Sequence, residues 1–452
     1  MILDYHRVHI IGIGGAGMSA LAKVMVGRGH HVTGSDLRGG AALQALADLG
    51  VEVATGHVPA LALAADLVVA SSAVPEYDEE LAAARDAGLP TWRRPQLLEA
   101  ISARIPTIGA TGTHGKTTTT ALLVTALRSM GRDPSFVVGG DLVETGTNGH
   151  VGVDDLLVLE ADEAFRTFES VHLRGLVVTN VEVDHLDHFG DETGQMASFV
   201  GVAAGVDGPV LCCADNEGSM TVARSTGALT YGLDERADWR IHDLITGREG
   251  SAFTLTGPGG SVTVNVPKPG AHVALNAAGA LALLAELGHD PEALGGSLGG
   301  FRGVGRRWEH RGTIDGITLY DDYAHHPTEV AATMSAARSF GAERLWAVFQ
   351  PHLYSRTERF SEEFGEALAG ADVVVVTDIY GAREEPVPGV TGALVADAAQ
   401  ARGVEVHYVP HRSDLTEFLS TRLRPGDLVV SLGAGDITLL HDELASALAV
   451  RS

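Results

Sequence analysis

The sequence predicts an α/β protein of three domains in series. Three observations carry that prediction. Apolar strand-length runs alternate with helical stretches along most of the chain, and the alternation restarts twice. Glycine clusters sit at the carboxyl ends of particular strands. The length of 452 residues exceeds what one ordinary core serves.

In residues 1–105, Val8-His-Ile-Ile-Gly12 reads as a strand, Ala16 to Gly27 as a helix and His31 to Asp36 as a second strand. Asp66 to Ser72 is a further strand, and a helix follows from Glu79 to Ala87. Such a βαβ succession implies a parallel sheet covered on both faces. Residues 106–308 open on the strand Pro106-Thr-Ile-Gly-Ala-Thr111 and a helix from Lys116 to Met130, with strands at Leu156 to Glu160 and Leu176 to Asn180. Beyond Gly208 the strands shorten and glycine turns appear, as in Thr254-Leu-Thr-Gly-Pro-Gly-Gly260, which suggests antiparallel pairing. A helix resumes from Asn276 to Leu287. Residues 309–452 place strands at Thr318 to Asp321, Leu345 to Phe349, Asp372 to Thr377, Val404 to Tyr408 and Asp427 to Ser431.

Apolar residues make up 45% of the chain and charged residues 20%, as in a globular protein. No uninterrupted apolar run approaches the roughly 18 residues of a membrane span. Met1-Ile-Leu-Asp-Tyr-His-Arg7 leads straight into a strand, so no secretion signal and a cytoplasmic location are expected. A formal charge of −26 argues against a nucleic-acid surface, and anionic substrates must be met by local donors against an unfavourable overall field. Lysine occurs only at Lys23, Lys116 and Lys268. Cys212 and Cys213 are adjacent in an apolar run; strand neighbours point to opposite faces, so they read as core.

Gly12-Ile-Gly-Gly-Ala-Gly17 satisfies G-x-G-x-x-G between a strand and a helix, and Asp36 closes the next strand where dinucleotide enzymes keep a ribose-binding acid. Close backbone approach and a helix N-terminus suit any diphosphate, so the pattern leaves the nucleotide open. The second loop reads Gly109-Ala-Thr-Gly-Thr-His-Gly-Lys-Thr-Thr118. It lacks the first glycine of G-x-x-x-x-G-K-[ST] because Ala110 stands there, yet it keeps the inner part. Gly112 and Gly115 can turn backbone N–H groups toward the β- and γ-phosphates of ATP, Lys116 can bridge them, and the Thr117 hydroxyl can meet Mg²⁺. Glu160-Ala-Asp-Glu163 and Asp184-His-Leu-Asp-His188 supply metal-ligand candidates at other strand ends; a solvated acidic loop is the competing reading. Tyr320-Asp-Asp-Tyr-Ala-His-His-Pro-Thr-Glu329 packs acids and histidines too densely for core, without zinc spacing. In Phe349-Gln-Pro-His-Leu-Tyr-Ser-Arg-Thr-Glu358, Arg356 can, with Arg359, clamp a carboxylate; a polar helix start is the alternative.

Taken in order, Gly12–Met18, Gly112–Thr118, Asp321–Pro327, Gln350–Thr357, Asp378-Ile-Tyr and Gly433-Ala-Gly-Asp436 resemble the Mur ligases of peptidoglycan synthesis across essentially the whole chain. The resemblance implies a Rossmann-like parallel-sheet domain that binds a UDP-sugar (1–105), a central P-loop ATPase-like domain (106–308) and a Rossmann-like C-terminal domain (309–452). It also implies that L-alanine is joined to the lactyl carboxylate of UDP-N-acetylmuramate through an acyl phosphate made with ATP and Mg²⁺. Such an enzyme is expected as a monomer or homodimer acting on small molecules, with no nucleic acid and no membrane insertion.

By matching positions, the family implies Lys116, Glu160 and His185 as catalytic, with Thr117, Glu160 and His185 at the metal. ATP would be met by Gly112, Thr113, His114, Gly115, Lys116, Thr117, Thr118, Asn276, Arg307 and Asp322. The UDP-sugar would be met by Gly12, Gly14, Gly15, Gly17, Met18, Ser35, Asp36 and Ser72, and L-alanine by Tyr323, His325, His352 and Arg356. Relatives often read Ser-Asp where Ala164-Phe165 stands, and H-N-x-x-N appears here as His272-Val-Ala-Leu-Asn276. Sister ligases carry a carbamylated lysine near the metals. No lysine lies between Lys116 and Lys268, so none is expected here. Three rival readings compete: an NAD-dependent dehydrogenase, a P-loop ATPase that moves a partner protein, and a recycling ligase that attaches a preformed tripeptide to the same UDP-sugar.

Overall fold

In the computed structural model, which describes residues 3–184, 186–258, 260–382 and 384–449, the three series become three sheets. β1 (Arg7–Ile11), β2 (His31–Asp36), β3 (Glu52–Thr55), β4 (Leu67–Ala70) and β5 (Thr91–Arg93) pair in parallel in the order β3-β2-β1-β4-β5. The order reverses at β1, so a crevice opens beyond the carboxyl ends of β1 and β4, where such sheets bind ligands.

The second sheet has ten strands: β6 (Thr107–Thr111), β7 (Ser135–Leu142), β8 (Thr147–His150), β9 (Leu157–Glu160), β10 (Gly175–Val178), β11 (Val210–Cys213), β12 (Leu229–Gly232), β13 (Trp239–Gly247), β14 (Gly250–Gly257) and β15 (Gly260–Val266). Their order is β15-β14-β13-β12-β11-β10-β6-β9-β7-β8. All five residues of β6 are buried, as a central parallel strand requires. The antiparallel pairing expected beyond Gly208 is corrected for its first part, where β10, β11, β12 and β13 pair in parallel; β13 and β14 are sheet neighbours separated only by residues 248–249, a connection that antiparallel strands alone allow. The helix Glu217–Thr226 lies between β11 and β12 and allows the crossover. The late helix begins at Ala271, five residues before the expected start. Cys212 and Cys213 are buried, and burial pushes both thiols up to about 12, so they are inert core residues.

The third sheet contains β16 (Glu309–Ile314), β17 (Ile317–Asp322), β18 (Arg344–Phe349), β19 (Val373–Val376), β20 (Glu405–Tyr408) and β21 (Asp427–Leu432), ordered β16-β17-β21-β18-β19-β20. Only the β16–β17 pair is antiparallel among these.

Two compact units result. The first runs to Leu244 and includes Ala252–Pro267 and Val273–Arg302; the second holds Ile245–Ser251, Lys268–His272 and the chain from Gly303. Within the first unit one apolar core joins two sheets: Ile10, Leu21, Val24 and Met25 cluster with Val137, Leu157 and Leu159. The helix Ala16–Gly27 therefore packs against its own sheet on one side and the β7–β8 hairpin on another.

Candidate active site

The first glycine loop turns at the carboxyl end of β1. Gly12 takes φ +75°, and the N–H groups of Gly12 and Ile13 donate to the Ser35 carbonyl at 2.8 and 3.0 Å. Asp36 accepts from Gly14 N at 3.0 Å and from Arg38 N at 3.0 Å, so its carboxylate holds the loop. A Cβ on Gly14 would come within 2.9 Å of Asp36 Oδ2, and one on Gly17 within 2.8 Å of the Arg94 guanidinium. Glycine is thus required at both positions by the close approach of Asp36 and Arg94 to the backbone at the amino end of the helix Ala16–Gly27. Gly15 is the residue that caps this helix.

Two of the expected residues turn their side chains inward. Met18 is buried in the core, because its place in the first turn points it back onto the sheet. The Ser35 hydroxyl faces inward and donates to Glu80, itself fully buried and hydrogen-bonded to His9 and to Val58 N. Only the Ser35 backbone meets the loop. Ser72 follows β4 with its hydroxyl buried and without a partner among the described residues, the kind of atom a ligand satisfies.

The second loop follows β6. Gly112 sits at φ +131°, where a Cβ would be 2.1 Å from Thr179 Oγ1; Gly115 sits at φ +81°, where a Cβ would be 2.7 Å from Asn276 Oδ1. Neither position admits a side chain, and Gly115 starts the helix Lys116–Ser129. The segment after β10 clamps the loop from the side: Thr113 N donates to Asn180 O at 3.1 Å and His114 N to Asn180 Oδ1 at 2.8 Å. His114 Nε2 lies 3.3 Å from Glu182 Oε2. Thr118 sits in the first helical turn.

Lys116 bends back over this loop, donating to Gly112 O at 2.7 Å, to Thr113 O at 3.1 Å and to Glu163 at 2.9 Å. Burial pulls the Lys116 ammonium down, but the carboxylates of Glu163, Asp162 and Glu160 outweigh it and raise its pKa. Burial lifts Glu163 to about 7; Lys116 lowers it and Asp162 adds to the rise. Thr117 Oγ1 donates to Glu160 Oε1 at 2.9 Å, and Glu160 Oε2 accepts from Gly139 N at 2.6 Å. An oxygen set of this kind fits Mg²⁺, which takes hydroxyl and carboxylate ligands at phosphates. His185, expected at the metal, lies outside the described residues.

Two neighbours of these loops take roles that the sequence does not signal. Glu163, a metal-ligand candidate by sequence, is the partner of the loop lysine. Arg94 stands between the two loops, against Gly17 and with Nη1 3.5 Å from Asp162 Oδ2. A lone arginine opening a helix gives no pattern to find.

In the second unit Tyr323, His325, His352 and Arg356 form a chain of contacts. Tyr323 and His325 rings meet edge-on at 5.2 Å, His325 and His352 at 5.8 Å, and Arg356 Nη1 lies 3.3 Å from His352 Nδ1. His325 Nδ1 also lies 3.1 Å from Glu329 Oε2. Leu353, between His352 and the helix Tyr354–Leu368, takes φ +69°, a strained conformation for a side chain of its size. Arg306 and Arg307 cover the Tyr323 ring at 4.9 and 4.8 Å. Asp322 is buried and accepts from Trp308 N and Ala324 N, both at 2.8 Å, and burial pushes it up to about 6. In this arrangement Asp322 holds the Arg306–Trp308 turn.

Three family models match the chain in order: the Mur ligase family catalytic domain over 7–105, the Mur ligase middle domain over 110–284, and the Mur ligase glutamate ligase domain over 306–435. The UDP-N-acetylmuramate–L-alanine ligase of Mycobacterium sp. (strain JLS) is 42% identical, covering 99% of this chain and 96% of the relative. The enzyme of that name from Thermobifida fusca is 42% identical, covering 98% and 96%. Among solved structures, the UDP-N-acetylmuramate–alanine ligase of Thermotoga maritima superposes with a TM-score of 0.86 at 26% identity, covering 99% of this chain and all of that one. A murein peptide ligase from Psychrobacter arcticus gives 0.72 at 26% identity, with 98% of each chain covered.

Proposed function

The chain belongs to the Mur ligase family, and from that premise we propose that it joins L-alanine to the lactyl carboxylate of UDP-N-acetylmuramate at the expense of ATP, in peptidoglycan precursor synthesis. The observation that carries this reading is the full-length identity of 42% to relatives bearing that activity in their names. The tripeptide-attaching alternative is the weaker reading, since the fit to a murein peptide ligase falls to a TM-score of 0.72 from 0.86 at the same 26% identity.

The chemistry proceeds in two stages. A lactyl carboxylate oxygen attacks the γ-phosphorus, the bond to the β,γ-bridging oxygen breaks, and ADP leaves with that electron pair. The neutral amine of L-alanine adds to the acyl phosphate carbonyl; the carbon–oxygen bond to phosphate breaks, the amine proton passes to the departing phosphate, which leaves as hydrogen phosphate, and an amide remains. Phosphoryl transfer asks the protein chiefly for position and charge. We assign Lys116 to the β- and γ-phosphates, which it reaches by exchanging Glu163 for them. Gly112, Thr113, His114, Gly115, Thr118 and Asn276 shape the ATP cradle. Thr117, Glu160 and His185 would hold Mg²⁺, whose contribution is charge at the phosphate oxygens. Arg307 and Asp322 are also assigned to ATP. Tyr323, His325, His352 and Arg356 are assigned to L-alanine, with Arg356 on its carboxylate. Gly12, Gly14, Gly15, Gly17 and Ser72 are assigned to the UDP-sugar, with Asp36 and the Ser35 backbone bracing them.

We assign the enzyme to the cytoplasm, as a monomer or homodimer. No helix among the described residues is long and apolar enough to cross a membrane. The decisive experiment follows phosphate release from ATP and Mg²⁺ with each substrate omitted in turn. Release that needs both UDP-N-acetylmuramate and L-alanine, with the joined product seen by mass spectrometry, supports the reading. Turnover with neither substrate, or with tripeptide alone, overturns it.

A further inference from the structure

We propose that Asn148, with Lys23, is a positioning clasp that locks the UDP-sugar loop onto the same hairpin that holds the metal-site carboxylate. The inference rests on the assignment of Gly12–Gly17 to the UDP-sugar. Asn148 lies on β8, at the edge of the central sheet, and is buried. Its side chain crosses to the first turn of the helix Ala16–Gly27: Nδ2 donates to Ala16 O at 2.8 Å and to Ser19 Oγ at 3.2 Å. Its Oδ1 accepts from Lys23 Nζ at 2.7 Å, and the same ammonium donates to Thr147 Oγ1 at 3.0 Å. Ser19 Oγ closes the set by donating to Ala16 O at 3.0 Å.

Backbone packing brings the two elements this close. A Cβ on Gly149 would stand 2.5 Å from Ala20 O, and one on Gly27 would stand 2.6 Å from Val151 Cγ2. An apolar side chain at Asn148 would serve adhesion alone. An amide that donates to the first turn at Ala16 and Ser19 and accepts from Lys23 about two turns along instead fixes the direction of the helix start, and a buried amide carries a penalty if any of those bonds is lost. The first turn matters because its backbone N–H groups face the diphosphate.

The other strand of the hairpin has its own attachment. Gly139 of β7 donates to Glu160 Oε2 at 2.6 Å, while Glu160 Oε1 accepts from Thr117. One two-stranded element thus grips the turn that binds one substrate and the carboxylate beside the other. The reacting carboxylate must be delivered to the γ-phosphate, where small misplacements cost rate steeply. The hairpin sets that span.

The test uses the full chain and three variants: Asn148→Ala, Asn148→Asp and Lys23→Met. UDP-N-acetylmuramate binding is titrated calorimetrically without ATP, and KM for each substrate and Tm are measured. Asn148→Ala is expected to weaken UDP-N-acetylmuramate binding about tenfold and to lower kcat, with the KM for ATP within about twofold of wild type. Asn148→Asp keeps the acceptor for Lys23 but sets a carboxylate against Ala16 O. It is expected to lower Tm, as a buried carboxylate facing a carbonyl must, and to lose sugar affinity while the KM for ATP stays within about twofold of wild type, a separation that a merely structural role would not produce. Lys23→Met serves the same reading if Asn148→Ala does not fold, with a loss of about threefold. Unchanged sugar affinity in folded variants, or KM values for ATP and sugar rising together, overturns the inference. Wild-type protein that fails to bind UDP-N-acetylmuramate overturns the loop assignment itself, and the clasp with it.

Discussion

At the scale of the residue, the pair that governs the site is Lys116 with Glu163. A loop lysine beside buried glutamate is restrained until phosphates replace the carboxylate, so its removal strikes chemistry and not sugar binding. Lys116→Ala is expected to cut turnover by at least about a thousandfold while UDP-N-acetylmuramate still binds; near-normal turnover would move the ATP site elsewhere. Glu163 itself links stability to pH. Its pKa rises from 4.5 to about 7 in the folded state, so the folded protein holds this proton more tightly than the unfolded chain. That contribution is complete below the unfolded value and disappears as pH climbs through about 7. Glu163→Gln should therefore flatten the fall in Tm between about pH 5 and about pH 8, read by thermal denaturation in matched buffers; an unaltered slope would assign the titration to another group. Arg356, buried beside His352, is expected to set the KM for L-alanine. Arg356→Ala should raise that KM about tenfold or more, with little change for ATP, whereas equal effects would take Arg356 out of the amino-acid pocket.

At the scale of the element, the glycine loops were the most legible part of the sequence, because backbone conformation alone dictates them. Gly112 at φ +131° lies against Thr179, whereas Gly131 at φ +76° has open space around it. Gly112→Ala is expected to cost about 2 kcal/mol or more and to abolish ATP binding, and Gly131→Ala about 1 kcal/mol with activity retained. Chemical denaturation and nucleotide titration of the two variants check this contrast. The helix Ala16–Gly27 and the strands around it follow the expected bounds within a residue or two, since apolar periodicity reports burial directly. The β7–β8 hairpin escaped the sequence reading. Its strand Thr147–His150 is short and polar, and its partner ends in Gly139-Gly-Asp141, so neither carries an apolar alternation. The parallel pairing of β11 with β12 escaped for a related reason: glycine turns suggested hairpins, whereas the helix Glu217–Thr226 carries the chain back for parallel pairing.

At the scale of the whole molecule, a formal charge of −26 opposes two anionic substrates. Local N–H groups and Lys116 attract them only at short range, while the overall field acts during approach. The kcat/KM for UDP-N-acetylmuramate is therefore expected to rise as salt goes from about 10 to about 100 mM, a range in which the Debye length falls from about 30 to about 10 Å. A steady fall over that range would show that a local cationic field dominates the encounter. Sharing one apolar core between the first two sheets has a related consequence: the two glycine-rich loops belong to one unit, and Asn148 ties the helix after the first loop to the β7–β8 hairpin of the second sheet.

The sequence by itself determined the three-part α/β organisation and the two glycine-rich strand–helix turns, because these depend on periodicity and on glycines whose backbone geometry no other residue adopts; the family and the reaction class came from the resemblance of the ordered motifs to the Mur ligases. Tertiary structure alone decided that Lys116 is held by Glu163, that Asp36 and Asp322 spend their carboxylates on backbone N–H groups, and that Ser35 and Met18 face the core. It also brought Tyr323, His325, His352 and Arg356 into one line of contacts and set Asn148 against Ala16 across 132 positions of chain. The physical reason is the same in each case. A side chain's type and spacing state what it can bind, but its partner is chosen by packing between elements distant in sequence, where burial makes an unmet polar group costly.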